Sequence, residues 1–346
     1  MKTITPVMSF PVILAILCGC SSGNGGGVQV FEIDSGDVVG GTTLSPFQRY
    51  RDMVIGIDDV HGQIAAIEWG DRTSTVKIIT LKPWKVSKYS VAATHVQGSI
   101  EGPMSFDFQN NRFFYVTDMD AKSKMPALVG IGLKDGKQQR YPAIAHRGAW
   151  ISGPIASTAD GLFFRVVGEK EAWLCQIPSN AGSAKEIFHT NDVLRKWGIS
   201  GQYLYWLTTP RDSKSDARLV LVDRSNSTKT EHILSWSALE YVTDGEHLMS
   251  FFPDNKALRR ISITSPDRSQ DFKVPPPKDG FRISTYTLAC SQNHALLTEN
   301  APDSPVTKLV MLDLRTGKTR ERDITGYQSP ILTFRYDGKN YAILAE

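Results

Sequence analysis

The acids in the most suggestive setting are Glu101, Asp107 and Asp118. Glu101 opens the tripeptide Glu101-Gly102-Pro103, Asp107 follows soon after, and Asp118 closes a run that begins with Phe113-Phe114-Tyr115. Carboxylates that converge in space could hold a hard cation such as calcium, or work as a general acid–base pair. One Glu supplies too few oxygens for calcium, so Glu101 is at most one member of a metal site. No catalytic residue is assigned, and calcium is the only cofactor considered. A second group mixes aromatic and charged residues in the segments between strand-like runs: Tyr50, Arg51, Glu101, Arg147, Trp150, Arg195, Trp197, Trp236, Tyr241, Tyr286 and Tyr327. Aromatic anchors set among Arg and acids suit a protein or glycan partner. The competing reading is that these rings simply pack between neighbouring sheets.

Other chemistry is not signalled. There is no Gly-x-Ser-x-Gly elbow, no His-Glu-x-x-His and no glycine-rich phosphate loop opening a helix. The histidines are scattered, with no His or Cys pair at ligand spacing. A formal charge of +3 on 346 residues gives no basic face for nucleic acid.

The elements that must position these residues are strands. From Gly102 to Tyr141 the chain reads as four of them: Met104–Phe108, Arg112–Thr117, Ala127–Leu133 and Lys137–Tyr141. Asn110-Asn111 and Lys134-Asp135-Gly136 supply the turns, since Asn and Gly tolerate the positive φ of tight hairpins. The first-hairpin turn recurs at His61-Gly62, Asp160-Gly161, Ser200-Gly201, Asp244-Gly245, Gln292-Asn293 and Asp337-Gly338. A period in the forties with four strands per unit predicts an all-β, seven-bladed β-propeller of antiparallel blades. The last unit stops after two strands. Val28–Ile33, a turn at Asp34–Asp37 and Val38-Val39 would complete it, closing the ring. Six blades is the alternative, with Gly161–Phe188 misread as a repeat. Pro103, Pro154 and Pro330 each read as preceding a first strand. Thr190–Trp197 departs from the β pattern: a capping residue followed by Val193, Leu194 and Trp197 at helical spacing predicts a short helical turn. Ser235–Tyr241 reads the same way, and Pro275-Pro276-Pro277 as a stiff connector.

The first 19 residues read as a signal peptide, with Lys2 before the apolar stretch Val7–Ile16. Leu17-Cys18-Gly19-Cys20 resembles the bacterial lipobox, in which a Leu, a variable residue and a small residue precede the Cys that is lipidated. The resemblance implies an acylated, palmitate-type anchor on Cys20, and Ser21 after it implies the outer membrane, facing the periplasm. Residues 20–27 then form a flexible tether, and residues 28–346 a single propeller domain. Cys175 and Cys290 fall in apolar runs of blades too far apart for a disulfide, and read as buried thiols.

Two further resemblances concern the propeller. Repeat length and turn pattern resemble the YVTN/TolB/WD40-like group of bacterial envelope propellers, which implies the fold and little about function. Glu101-Gly102-Pro103, with Asp107 and Phe113-Phe114-Tyr115 before Asp118, resembles the first blade of calcium-dependent gluconolactonase-type propellers. That resemblance implies a metal-ligand role for Glu101. The family also uses an Asn from an Asn-Gly strand start. The corresponding segments here, LRKWGISG and LEYVTDG, lack it. The expectation is therefore a membrane-anchored envelope lipoprotein acting as a non-catalytic binding or scaffold propeller, monomeric by itself, for a protein or envelope-polymer partner. The alternative is a carbohydrate or lactone hydrolase or lyase using acids at the channel mouth.

Overall fold

The fold was read from a computed structural model. It describes residues 27–43, 52–68, 73–92, 104–117, 127–142, 149–179, 183–211, 216–234, 238, 241–252, 256–277, 281–300, 306–325 and 329–345. The lipobox and most of the segments between blades lie outside these residues.

The described chain opens with β1 (Gly27–Glu32) and β2 (Val38–Thr43). Blade 1 is β3 (Asp52–Asp58), β4 (Gln63–Glu68), β5 (Thr73–Thr80) and β6 (Lys85–Ala92). Blade 2 is β7 (Met104–Asp107), β8 (Arg112–Thr117), β9 (Ala127–Gly132) and β10 (Gln138–Pro142). Blade 3 is β11 (Trp150–Thr158), β12 (Gly161–Val167), β13 (Ala172–Pro178) and β14 (Lys185–Thr190). Blade 4 is β15 (Val193–Ser200), β16 (Tyr203–Thr209), β17 (Ala217–Asp223) and β18 (Lys229–Leu234). Blade 5 is β19 (Val242–Thr243), β20 (His247–Phe252), β21 (Ala257–Ser262) and β22 (Ser269–Lys273). Blade 6 is β23 (Arg282–Cys290), β24 (His294–Asn300), β25 (Val306–Asp313) and β26 (Thr319–Thr325). The chain ends on β27 (Ser329–Tyr336) and β28 (Lys339–Ala345).

Each sheet is an antiparallel meander of four strands, and there are seven sheets. The seventh runs β2-β1-β28-β27, so it is assembled from both ends of the described chain. Val28 to Glu32 pair with Ala345 to Tyr341, and β2 covers the outer edge of β1. Side chains lock the seam: Lys339 Nζ lies 2.6 Å from Glu32 Oε2, and the guanidinium groups of Arg320 and Arg322 donate to the carbonyls of Asp34 and Gly36. The seven-bladed, terminus-sharing ring expected from the repeat is what the chain forms.

The core explains why second strands are apolar along their whole length. In an antiparallel sheet alternate side chains face opposite sides, and here both sides are covered by a neighbouring blade. In β4, Ile64 and Ala66 face blade 7 while Ala65 and Ile67 face blade 2. In β16, Leu204 and Trp206 face blade 3 while Tyr205 and Leu207 face blade 5. The buried residues divide into seven clusters, one for each interface around the ring. Fourth strands such as Ser269–Lys273 meet solvent and are polar. Turn chemistry follows the sequence: Gly62, Asn111, Gly161, Gly201, Gly245 and Gly338 all have positive φ at first-hairpin turns.

Two expectations are corrected. Among the described residues there is no helix, and Val193–Trp197 is the start of strand β15. The helical spacing was produced by a β-bulge. Leu194 pairs with Thr208 and Trp197 with Trp206, so Arg195 is an extra residue between them. That extra residue lets Leu194 and Trp197, three apart, share one face of a period-two strand. Ser235–Tyr241 lies largely outside the described residues. Pro154 and Pro330 do not precede their first strands. They lie inside β11 and β27, at register shifts between Ser152 and Ile155 and between Pro330 and Leu332. Pro154 falls in the unpaired stretch of its bulge, and Pro330, which pairs with Leu344, lies on the edge strand of its sheet; both places tolerate a residue without an N–H.

Candidate functional site

Bulges define the candidate site. First strands carry register shifts at Val54/Gly56, Ser152/Ile155, Leu194/Lys196, Ser284/Ala289 and Pro330/Leu332. Each lies before the strand's last pairs, on the side of the segments that join blade to blade. A bulge bends its strand and re-aims side chains, a device common beside binding sites. The best-described part of this rim is the junction of blades 3 and 4.

Arg165 spans that junction. It sits in β12 directly opposite Ser152 and on the sheet face turned to blade 4, where Phe163 also packs. Its Nη2 donates to Ser152 Oγ at 2.9 Å, and its Nη1 donates to the Leu194 carbonyl at 2.8 Å. One guanidinium thus ties the bulge of blade 3 to the bulge of blade 4. Both partners are neutral. Burial pulls the Arg165 pKa downward, yet a guanidinium stays charged at neutral pH. Its Nε is buried without a partner. The bulged residue Arg195 is half-buried and donates from Nε to Thr209 Oγ1 at 2.8 Å, on the face of β16 that carries Tyr205 and Leu207 and is turned to blade 5. Among the described residues no ion pair joins either arginine.

Trp150 stands at the outer end of the same feature. It opens β11, pairs with Val167 and is 43% exposed. It is two residues from Ser152 on an unshifted stretch of strand, so both point to one side, separated by about 6–7 Å of strand. Beneath them, Trp197 and Trp206 pair across β15 and β16 and are buried, and both indole N–H groups lack a partner. Carboxylates on this rim are Asp192, just before β15, and Glu169 and Glu171 in the loop between β12 and β13, where Glu171 Oε1 lies 3.5 Å from His189 Nε2.

A second concavity lies on the opposite, turn-bearing side between blades 2 and 3. It is a cleft of about 730 Å³ lined by Asp107, Asn110, Arg112, Lys134, Asp135, Gln139 and Tyr141 among others. Arg112 Nη1 donates to Gln139 Oε1 at 3.0 Å and to the Tyr141 hydroxyl at 3.2 Å. Asp107 is committed to its own turn, accepting from the Asn110 backbone N–H at 3.2 Å and from Asn110 Nδ2 at 2.8 Å. That local duty is the ordinary reason for an Asp before a tight turn.

The residues expected from sequence distribute as follows. Trp150 stands on the rim of blades 3 and 4, whereas Arg195 bonds Thr209 on the face of blade 4 turned to blade 5. Trp197 is 3% exposed and packs between those blades, as the competing reading held for such rings. Tyr241 is also buried and accepts a hydrogen bond from the Ala238 N–H at 2.8 Å. Tyr286 lies within β23. Tyr50, Arg51, Glu101, Arg147, Trp236 and Tyr327 lie outside the described residues, as do Cys20 and Asp118. Among the described residues no group of three or more His, Cys, Asp or Glu is placed to hold a metal ion. Cys175 and Cys290 are free and buried, in blades 3 and 6. Sequence reasoning missed Arg165, although a signal was present: it is the one charged residue in the apolar second strand Gly161–Val167.

No family model matches the chain, and no curated protein matches it. Solved structures do. A prolyl endopeptidase structure aligns with a TM-score of 0.56 at 9% identity over 84% of this chain, which spans only 46% of that longer protein. An oligogalacturonate lyase from Vibrio parahaemolyticus aligns with a TM-score of 0.52 at 11% identity, over 93% of this chain and 97% of the other. An uncharacterized protein from Listeria monocytogenes aligns at 0.50 and 10%, over 83% and 86%. At such identities the likeness is one of fold, and the fold it supports is the seven-bladed propeller.

Proposed function

We propose that this chain is a lipid-anchored envelope propeller that binds a protein or envelope-polymer partner through the face bearing its blade-to-blade segments, and does no chemistry of its own. The observation that carries the reading is the rim of blades 3 and 4. There an exposed Trp150 stands on a bulged strand two residues from Ser152, and the recessed Arg165 ties that strand to the bulge of blade 4. Trp and Arg dominate the energetics of binding surfaces because each combines large contact area with directed donors. A tether from Cys20 would hold that face near the membrane at high effective concentration.

The test is in-cell crosslinking and pull-down of the tagged protein from envelopes, beside a soluble form lacking Cys20. A partner recovered in comparable amount with the anchored form supports the reading. A clean monomer with nothing bound counts against it. The competing reading, a carbohydrate or lactone hydrolase or lyase, keeps Glu101 and calcium. It predicts a calcium-dependent thermal shift abolished by Glu101→Gln; no shift, with full function of that variant, would remove it.

A further inference from the structure

We infer that the cleft between blades 2 and 3, on the turn-bearing side, is a binding site for an uncharged saccharide. It lies opposite the binding face proposed above and stands independently of it. A missing plug opens the cleft. Just after each third strand, one backbone N–H donates to a carbonyl at the blade's own first-hairpin turn. The residues at this position are Ile33, Leu81, Leu133, Ser179, Arg224, Ile263 and Leu314, one per blade. Six of them are large and close the gap to the preceding blade. Leu81 packs with blade 7, Leu133 with blade 1, Ile263 with blade 4, Leu314 with blade 5 and Ile33 with blade 6. Arg224 reaches Asp160 of blade 3. Ser179 is the exception: it is short and exposed, and it lines the cleft toward blade 2. The opposite wall withdraws bulk as well, since Gly132 lines the cleft from β9.

The lining selects the ligand. Arg112 and Lys134 stand with Asp107 and Asp135, two cations with two carboxylates, so the cleft favours neither sign of charge. Both acids serve their own turns: Asp107 accepts from Asn110, and Asp135 accepts from the Lys137 N–H at 3.1 Å. Gln139 Oε1 and the Tyr141 oxygen already accept from Arg112 Nη1. That leaves Gln139 Nε2, the Tyr141 O–H and the other Arg112 nitrogens as donors, with the Ser157 and Ser179 hydroxyls able to donate or accept. Phe114, Leu162 and Ile177 give the cleft an apolar floor. An apolar floor under neutral donors and acceptors matches a sugar ring, whose C–H face is apolar and whose hydroxyls both donate and accept. The volume of about 730 Å³ falls in the range of about 300–1,000 Å³ usual for small-molecule sites and has room for a short oligosaccharide.

The experiment titrates the soluble mature protein lacking Cys20 with maltotriose, cellotriose and triacetylchitotriose by isothermal calorimetry, at about 0.15 M salt, where diffuse charge attraction is screened. Saturable binding of at least one is expected, with a Kd of about 1 mM or below. Ser179→Leu restores the plug and should weaken that binding about tenfold or more without lowering the melting temperature. Arg112→Gln should weaken it about tenfold. Lys318→Gln, in a turn of blade 6 on the same side, and Trp150→Ala, on the opposite side, should leave it unchanged. The site is overturned by lack of saturation with all three sugars, or by undiminished binding in Arg112→Gln or in a folded Ser179→Leu. It is overturned equally if trigalacturonate binds more tightly than every uncharged sugar and loses affinity in Arg112→Gln, since the cleft would then be an anion site. If Ser179→Leu fails to fold, Arg112→Gln decides. A crosslinking experiment that recovers no partner would defeat the proposed binding face and leave this cleft standing.

Discussion

Ring closure gives the sharpest test of the architecture. Phe31 lies in β1, the strand inserted between β28 and β2, and it is fully buried against Ala289, Leu296, Leu309, Met311, Ala342 and Leu344. It therefore joins the terminal blade to blade 6. Phe31→Ala removes a buried ring from a cluster held on all sides by strands, so the cavity cannot collapse. The loss is about 3–5 kcal/mol for such a substitution. With unfolding entropy of about 2.1 cal/mol/K per residue, a domain of roughly 300 residues then melts about 5–8 °C lower. Calorimetry on the soluble form measures this directly. Val38→Ala, in the neighbouring strand at 44% exposure, is the internal control and should move the midpoint by about 1 °C or less. Removal of residues 27–43 goes further, because it exposes the edge of β28 and deletes Val28, Val30, Phe31 and Ile33 from the core. That form should lose cooperative unfolding or associate through the free edge. An unchanged midpoint for Phe31→Ala, together with a stable monomer after the deletion, would refute ring closure through β1.

Gly161→Ala should destabilise strongly, because Gly161 has φ +129° and an added Cβ would fall 2.0 Å from the Ile177 carbonyl oxygen; urea titration should show a loss of about 1–3 kcal/mol from the backbone alone. Burial holds the His294 imidazole below its ordinary pKa, against the opposing pull of the Asp34 and Asp313 carboxylates. The unfolded chain thus takes up a proton near pH 6.5 that the folded chain resists, so this contribution is whole above that pH and shrinks as pH falls toward the folded value. Melting temperature against pH should show that slope, and His294→Gln should flatten it. Burial raises the Cys175 thiol to about 12 and raises Cys290 as well. In the soluble form lacking Cys20, a thiol reagent at pH 8 should therefore label neither until denaturant is added, and both afterwards.

Much of the fold was legible because its signals are local. Tight first-hairpin turns need positive φ, and the chain writes Gly or Asn at most of them, which set the period and the number of blades. Second strands are buried on both faces, which erased the alternation of apolar and polar residues and left plain apolar runs. The half-blade at each end followed from the same count, because an unpaired strand edge must be covered.

What the tertiary structure decided depends on contacts between segments far apart in sequence. The stretch Thr190–Trp197 carries a good helix cap and helix-like spacing. It is a strand because β16 supplies a ladder for it and a bulge at Arg195 restores its apolar face. Pro154 and Pro330 sit at bulges that no local pattern announces. Whether a Trp anchors a ligand or fills a blade interface is likewise a matter of which neighbour covers it: Trp150 is open and Trp197 is closed. The arginine that ties the rim together was visible as a charge in an apolar strand. Only the packing of blade 3 against blade 4 shows why it is there, since a buried cation is tolerable where a hydroxyl and a carbonyl from two separate bulges meet it.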